Sequence, residues 1–237
     1  LGIALEQRMK SERLKTELIT NVSHDIKTPL TSIINYVDLL KKEPLDGKAE
    51  EYAAILEKHA VRLKKLTVDL VEASKAATGN IPVELGPVNV GELIDQAVAE
   101  YSERLDESRL STVIDLPEGP LCILADGKLA WRVLDNLLGN AAKYSQEGTR
   151  LYISVSCVGS DVVLDFKNIS RERLNIDPEE LTERFVRGDS SRHTEGSGLG
   201  LNIAKSLTEL QGGRMNLYID GDLFKVELVF KKYDDME

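Results

Sequence analysis

From Val22 to Leu70 apolar residues recur every three or four positions, and beyond residue 82 that period gives way to alternation. A chain patterned this way has to bury helical stripes in one part and strand faces in the other. Val22, Ile26, Leu30, Ile33, Val37 and Leu40 form the first stripe. "KEPLDGK" (42–48) then supplies Pro, Asp and Gly, a turn. A second stripe, Tyr52, Leu56, His59, Leu63, Leu66 and Leu70, alternates steps of four and three, a heptad-like seam. Two helices joined by a short turn make an αα-hairpin. A lone hairpin buries two stripes poorly, so pairing with a second copy into a four-helix bundle is expected. "ATGNIP" (77–82) is the linker that ends it.

Past the linker, short strand-like runs ("IPVEL", "STVIDL", "LCIL", "RLYISVSCV", "DVVLDFKNI", "RMNLYI", "LFKVELVF") interleave with helical ones at 90–105, 127–144 and 198–210. "DGD" before residue 223 is a turn signal, which makes 214–230 a hairpin. This texture predicts an α+β fold: a helical hairpin over 1–77, then an α/β sandwich over 78–237. Residues 171–196 form a long polar insertion with one short helix, capped by Asp177 with Glu180. Insertions of that length inside a domain are usually functional, often lids.

Composition narrows the function. Thirty basic against 40 acidic residues leave a formal net charge of −10, which argues against the basic stripe that nucleic acid needs. Cys122 and Cys157 both fall in strand-like runs, and with no CxxC or Cys/His cluster neither a disulfide framework nor a zinc site is expected. No apolar window of spanning length and no signal peptide occur, so the chain reads as cytosolic. It opens on "LGIALEQRMKSER" rather than on methionine, which suggests a piece of a longer protein.

Three stretches carry chemistry. The first is "SHDIKTP". At about 100° per residue His24 falls opposite the stripe of Val22 and Ile26, with Asp25 and Thr28 also on the exposed side. Pro29 lacks an N–H, so the carbonyl of Asp25 loses its helical partner and a kink is expected. A surface histidine is most often only that. The functional reading is a nucleophilic imidazole whose second ring nitrogen is held by Asp25. His59, on the apolar seam, is better read as a core or interface histidine.

The second stretch is "ADGKLAWRVLDNLLGNAAKYSQ" (125–146). Asp126 is a natural N-cap, and Trp131, Leu134, Leu137 and Leu138 supply a core face. Asn136 and Asn140 are four apart on one face, with Lys143 and Tyr144 a turn further. Mid-helix asparagines are poor helix formers, and two aligned with a lysine look like ligands for a metal and a phosphate chain. A solvated polar face explains any one of them, and the set less well. In the third stretch, "TEGSGLGLNIAKSL", Gly196, Gly198 and Gly200 lead into an amphipathic helix whose N-terminus can meet an anion. It is neither a Walker loop nor a Rossmann fingerprint.

Together, "SHDIKTPLTSI", "RVLDNLLGNAAKYS" and "ERFVRGDSSRHTEGSGLGLNIAKSL" closely resemble the transmitter region of a sensor histidine kinase of a two-component system. The resemblance covers nearly the whole chain. It implies a dimerisation and histidine phosphotransfer hairpin, then a Bergerat-type ATP-binding domain with a lid at about 171–197. It implies ATP and Mg²⁺ as cofactors, a homodimer, and a response-regulator receiver domain as partner. A membrane enters only through an upstream sensor region, of which this chain is the cytoplasmic portion. His24 would accept the γ-phosphoryl group, Asp25 would be the general base, and Thr28 would position water when the partner is dephosphorylated. Asn140 would coordinate Mg²⁺ with Asn136 in support, Lys143 would contact phosphate and Tyr144 the nucleoside. Gly196, Gly198, Leu199 and Gly200 would shape the lid hinge and its phosphate contacts, and Phe185 and Arg187 match the family's F-x-R stretch in the lid.

One box departs from the pattern. Where the family has Asp-x-Gly-x-Gly, this chain has "NISRE", with Asn168 for the adenine-reading aspartate and Ser170 for the first glycine. An amide oxygen still accepts the adenine amino hydrogen bond, at a cost of roughly 1 kcal/mol. Strand parity puts nearby Asp165 on the opposite face. Two rival readings are a GHKL-type ATPase, which would need a glutamate where Asn136 stands, and a dimeric scaffold or phosphatase with weakened ATP binding.

Overall fold

Local capping sets the ends of the long helix in the first part of the chain. The Asp46 carboxylate accepts from the Ala49 N–H at 2.9 Å and opens α2 (Gly47–Ala77). At the other end Gly79 takes φ +68, and Gly79 and Asn80 donate back to the carbonyls of Ala76 and Lys75. This is a Schellman stop, and it needs the left-handed conformation that glycine adopts without penalty. The "ATGNIP" linker is therefore a hard helix terminus, not only a flexible stretch.

The computed structural model describes residues 26–27, 30–42, 46–174 and 198–234. They fall in two compact units, Leu1–Asn80 and Ile81–Glu237. In the first, helical residues 30–40 (α1) precede α2, and Lys41 Nζ meets Glu57 Oε2 at 2.5 Å to tie the two. Among the described residues of this unit, Leu30 and Val37 are buried on α1; on α2 Ala53, Ala60, Thr67 and Ser74 are buried at seven-residue steps, with Asp69, Ala73 and Ala76 beside them. The expected heptad-like seam is not closed within a single copy. Tyr52, Leu56, His59 and Leu63 lie on the outside of the single chain, with Ile33 and Leu40 of α1 likewise exposed. Small side chains let two antiparallel helices approach closely, so the inner line is the alanine line and the bulky one faces away.

The second unit holds two sheets. Strands β1 (Gly86–Asn89) and β3 (Cys122–Ala125) pair antiparallel. The larger sheet has the order β2-β4-β5-β7-β6, from β2 (Ser111–Asp115), β4 (Arg150–Val158), β5 (Asp161–Ile169), β6 (Arg214–Asp220) and β7 (Leu223–Lys231). Only β2 and β4 are parallel in it. The expected β6–β7 hairpin turns on Gly221 at φ +59.

Among the described residues three helices accompany the sheet: α3 (Val90–Glu107), α4 (Gly127–Tyr144) and α5 (Gly200–Leu210). Alternation along the strands buries Leu151, Ile153, Val155, Val162, Leu164, Phe166, Val226 and Leu228 on one side. Ile94, Leu134, Leu138, Ile203 and Leu207 from the helices complete that core. A bridge from Ile123 to Lys232, with the Tyr233 N–H on the Cys122 carbonyl, ties β3 to the end of β7.

"IPVEL" is not a strand; the pairing segment begins at Gly86. Pro82 has no N–H to give, and the Glu84 N–H goes to the Asp126 carboxylate at 2.9 Å rather than to a strand. The last helix also starts at Gly200, two residues later than its apolar pattern, because Gly198 sits at φ +68 ahead of it.

Candidate functional site

Helix α4 is anchored at its first turn by Asp126. Its Oδ1 accepts from the N–H groups of Lys128 and Leu129, and its Oδ2 accepts from Glu84. Its own N–H donates to Gln211 Oε1 at the far end of α5, at 2.9 Å. Burial raises the Asp126 carboxyl, but the N–H groups of Glu84, Leu129 and Lys128, with the Lys128 charge, outweigh it and hold the group below its ordinary range. Along α4, Val133, Leu134, Leu137, Leu138 and Ala141 are buried, which leaves Arg132, Asn136 and Asn140 as a partly exposed line at four-residue steps.

The glycine motif arrives at that line. A Cβ on Gly200 would sit 3.1 Å from Asn136 Oδ1 and 3.8 Å from both Oδ1 and Nδ2 of Asn140. A side chain there would press on the Asn136 amide, which would have to give by a few tenths of an ångström, and would meet Asn140 at ordinary contact distance. The Asn136 Nδ2 donates to the Arg132 carbonyl at 2.8 Å, so its oxygen is the end turned toward Gly200. Leu199, the residue before α5, provides no side-chain cap. Asn136, Asn140, Leu199 and Gly200 are thus brought together, with Gly198 just ahead.

At the end of α4, Lys143 Nζ lies 4.9 Å from the centroid of the Tyr144 ring. The next residues stitch the helix to β5. Gln146 donates to the Ile169 carbonyl and Arg171 to that of Tyr144, both at 2.8 Å, and Ser145 bridges Ser170. This places Lys143 and Tyr144 at the end of β5 that carries Asn168. Asn168 follows Phe166 on the buried side and is only 7% exposed, and its amide makes no hydrogen bond to another described residue. Asp165 lies on the other face, 2.8 Å from Lys225 Nζ and 3.6 Å from Lys167 Nζ. It is committed there and does not replace the missing aspartate.

Amide oxygens of Asn136 and Asn140 are hard donors of the sort Mg²⁺ takes beside water and phosphate oxygens. Among the described residues no group of three or more His, Cys, Asp or Glu could hold a metal by itself. The donor set therefore fits an ion that arrives with a polyphosphate rather than one caged by protein. His24, Asp25, Thr28, Arg187 and Gly196 lie outside the described residues, as do Phe185, Asp177 and Glu180.

Two supports had no local signal. Tyr101 Oη donates to Asp135 Oδ1 at 2.5 Å and reaches the Asp135 carbonyl at 3.0 Å, while Arg132 holds the other carboxylate oxygen. Burial first, then the bond to Asp135 and its charge, push the Tyr101 phenol up. The clamp fixes α3 on α4 one residue before Asn136, across 34 positions of sequence. Gln211, buried at the end of α5, does the same for α4 and α5.

Two family profiles match the chain. The His Kinase A (phospho-acceptor) domain matches residues 14–79, and the histidine kinase-, DNA gyrase B- and HSP90-like ATPase matches 125–232. The sensor protein VanS of Enterococcus faecium is 32% identical over 230 residues, which cover 92% of this chain and 58% of VanS. The histidine protein kinase SaeS of Staphylococcus aureus is 34% identical over 230 residues, covering 91% of this chain and 63% of SaeS. The chain thus spans about six-tenths of the length of these relatives. Among solved structures, full-length ShkA in complex with AMPPNP superimposes with a TM-score of 0.79 at 22% identity, over 93% of this chain and 47% of that one. The Acinetobacter baumannii histidine kinase AdeS gives 0.61 at 18% identity, over 89% of this chain and 98% of AdeS. At such identities the likeness is one of fold. No helix among the described residues is long and apolar enough to cross a membrane.

Proposed function

The chain belongs to the sensor histidine kinases, as a transmitter region, and from that premise we propose that it phosphorylates itself on His24 from ATP and passes the group to a response-regulator aspartate. The observation that carries this reading is the approach of Gly200 to Asn136 and Asn140, which assembles an oxygen-rich face at an uncapped helix start. Such a face suits a triphosphate, with first-turn N–H groups and the positive helix end toward the phosphates.

In this reading an unprotonated His24 nitrogen attacks the γ-phosphorus, the bond to the β-phosphate oxygen breaks, and ADP leaves. Asp25 holds the other ring nitrogen and, as general base, takes its proton as attack on phosphorus makes the imidazole positive. Mg²⁺, when bound, neutralises phosphate oxygens. Asn140 would hold it with Asn136 in support, Lys143 would contact phosphate, and Tyr144 would flank the nucleoside. Asn168 reads the base, while Gly196, Gly198, Leu199, Gly200 and Arg187 meet the phosphates from the lid side. Thr28 positions water for removal of the group from the partner, the phosphatase activity of the same region. The exposed apolar lines of α1 and α2 meet those of a second copy to form the four-helix bundle.

Incubation with γ-labelled ATP and Mg²⁺ tests the proposal. Acid-labile, base-stable label on the chain that disappears in His24→Ala is the expected result. Label retained by that variant defeats the assignment.

A further inference from the structure

We propose that the base pocket accepts 6-oxopurine triphosphates as well as ATP, because the group at its base-reading position is the Asn168 amide. The proposal rests on the nucleotide site put forward above and concerns which base it takes.

A carboxylate at this position only accepts hydrogen bonds, so it pairs with the adenine 6-amino group and faces a 6-oxo group acceptor to acceptor. An amide carries an acceptor on one side and two donors on the other. Turned one way it meets a 6-amino group; rotated by half a turn it donates to a 6-oxo group.

Which way an asparagine lies is normally settled by its neighbours. Here nothing among the described residues does so. Asn168 is more than nine-tenths buried, on the core side of β5, yet its amide has no hydrogen bond to any of them. Its amide atoms are not among the polar atoms sealed from solvent without a partner, so this polar end opens to solvent and is available to a ligand rather than serving as a structural strut. The adjoining bridge repeats the pattern. Ser145 is fully buried and paired to Ser170, and its hydroxyl also has no partner. A hydroxyl rotates to donate or accept, so neither nearby polar group imposes one polarity on the base. The Ser170 hydroxyl is the exception, accepting from the Glu172 N–H at 3.3 Å. Asp165, the carboxylate that would restore discrimination, is held by Lys225 on the opposite face.

Discrimination between ligands is a difference of affinities, and much of it comes from what a site repels. Losing the acceptor-only group removes the repulsive half. The test is calorimetric titration of the whole chain, and of its Asn168→Asp variant, with Mg-ATP and with Mg-inosine triphosphate. Inosine differs from adenosine at the purine 6-position and in the proton on N1, and lacks the 2-amino group of guanosine.

The expected result is inosine triphosphate binding within about tenfold of ATP in the native chain, with Asn168→Asp widening the gap by about thirtyfold or more. A native chain that binds ATP but refuses inosine triphosphate by about a hundredfold overturns the inference while leaving the nucleotide site standing. An unchanged ratio in a folded Asn168→Asp variant overturns it too. Binding of neither nucleotide removes the underlying site as well. If the variant does not fold, the native ratio decides alone.

Discussion

The two units of this chain treat their large apolar side chains in opposite ways. In Ile81–Glu237 large aliphatic residues are sealed: Ile94, Leu134, Leu138, Leu164, Ile203 and Leu228 are all under 2% exposed. In the hairpin, apart from Leu30 and Val37, the sealed apolar residues among those described are alanines, Ala53, Ala60, Ala73 and Ala76, while Tyr36 is 74% and Tyr52 61% exposed. Burial of apolar surface is the main stabilising term, so the first unit has an incomplete core as a single copy and the second does not. Chemistry follows the same division. The self-sufficient unit holds a cluster of amides and a helix start, whereas the unit with exposed apolar faces carries His24, the proposed acceptor.

The sharpest way to break that comparison is a matched pair of truncations. Leu138→Ala in the sealed core should cost about 3 kcal/mol in denaturant unfolding of the second unit, in the usual range for a buried leucine. Leu56→Ala on the exposed seam should leave that transition within about 0.5 kcal/mol while weakening self-association, read by sedimentation equilibrium. Equal effects on unfolding from the two variants would mean the units do not differ as described.

Gly200→Val separates site from scaffold. Its Cβ falls 3.1 Å from Asn136 Oδ1 and 3.8 Å from the Asn140 amide, so a branched side chain should displace both asparagines. ATP affinity should fall by about tenfold or more, about 1.4 kcal/mol, with the sheet unit still folded by circular dichroism.

A smaller effect is expected at the boundary of the units. Gly79→Ala places a Cβ at φ +68 and should destabilise the end of α2 by about 1 kcal/mol, visible as faster amide exchange near Lys75 and Ala76.

The smallest effect concerns pH. The Asp126 carboxyl is held below its unfolded value of 3.8, so the stability it contributes is present above that pH and lost as pH falls through the folded value. Asp126→Asn keeps the cap but cannot titrate. The native chain should lose more stability than the variant between pH 5 and strongly acid solution, measured by urea midpoints.

How much of this was legible depended on whether the signal was local. Asp126 as an N-cap, the β6–β7 turn and the helical span of α4 are written in short stretches, and the structure has them. The register of small and large lines on α2 was not. Ala53/Ala60/Thr67 and Tyr52/Leu56/Leu63 share the same period, and periodicity alone cannot say which line faces within a copy and which faces outward. β1 was misplaced because the partner of the Glu84 N–H is a side chain 42 residues away. The three motifs named the site's amides and glycines, and their contact through Gly200 came only with the fold. Tyr101, Asp135 and Gln211 announce nothing in sequence, since each acts through a tertiary partner.

The most direct test maps the phosphoryl group. The whole chain is incubated with Mg-ATP, digested at alkaline pH and sequenced by mass spectrometry, beside Asn140→Ala. The account predicts modification at His24 in the native chain and at least a hundredfold less, about 2.7 kcal/mol of lost transition-state stabilisation, in the variant. Phosphate on another residue, or equal labelling of both chains, contradicts it.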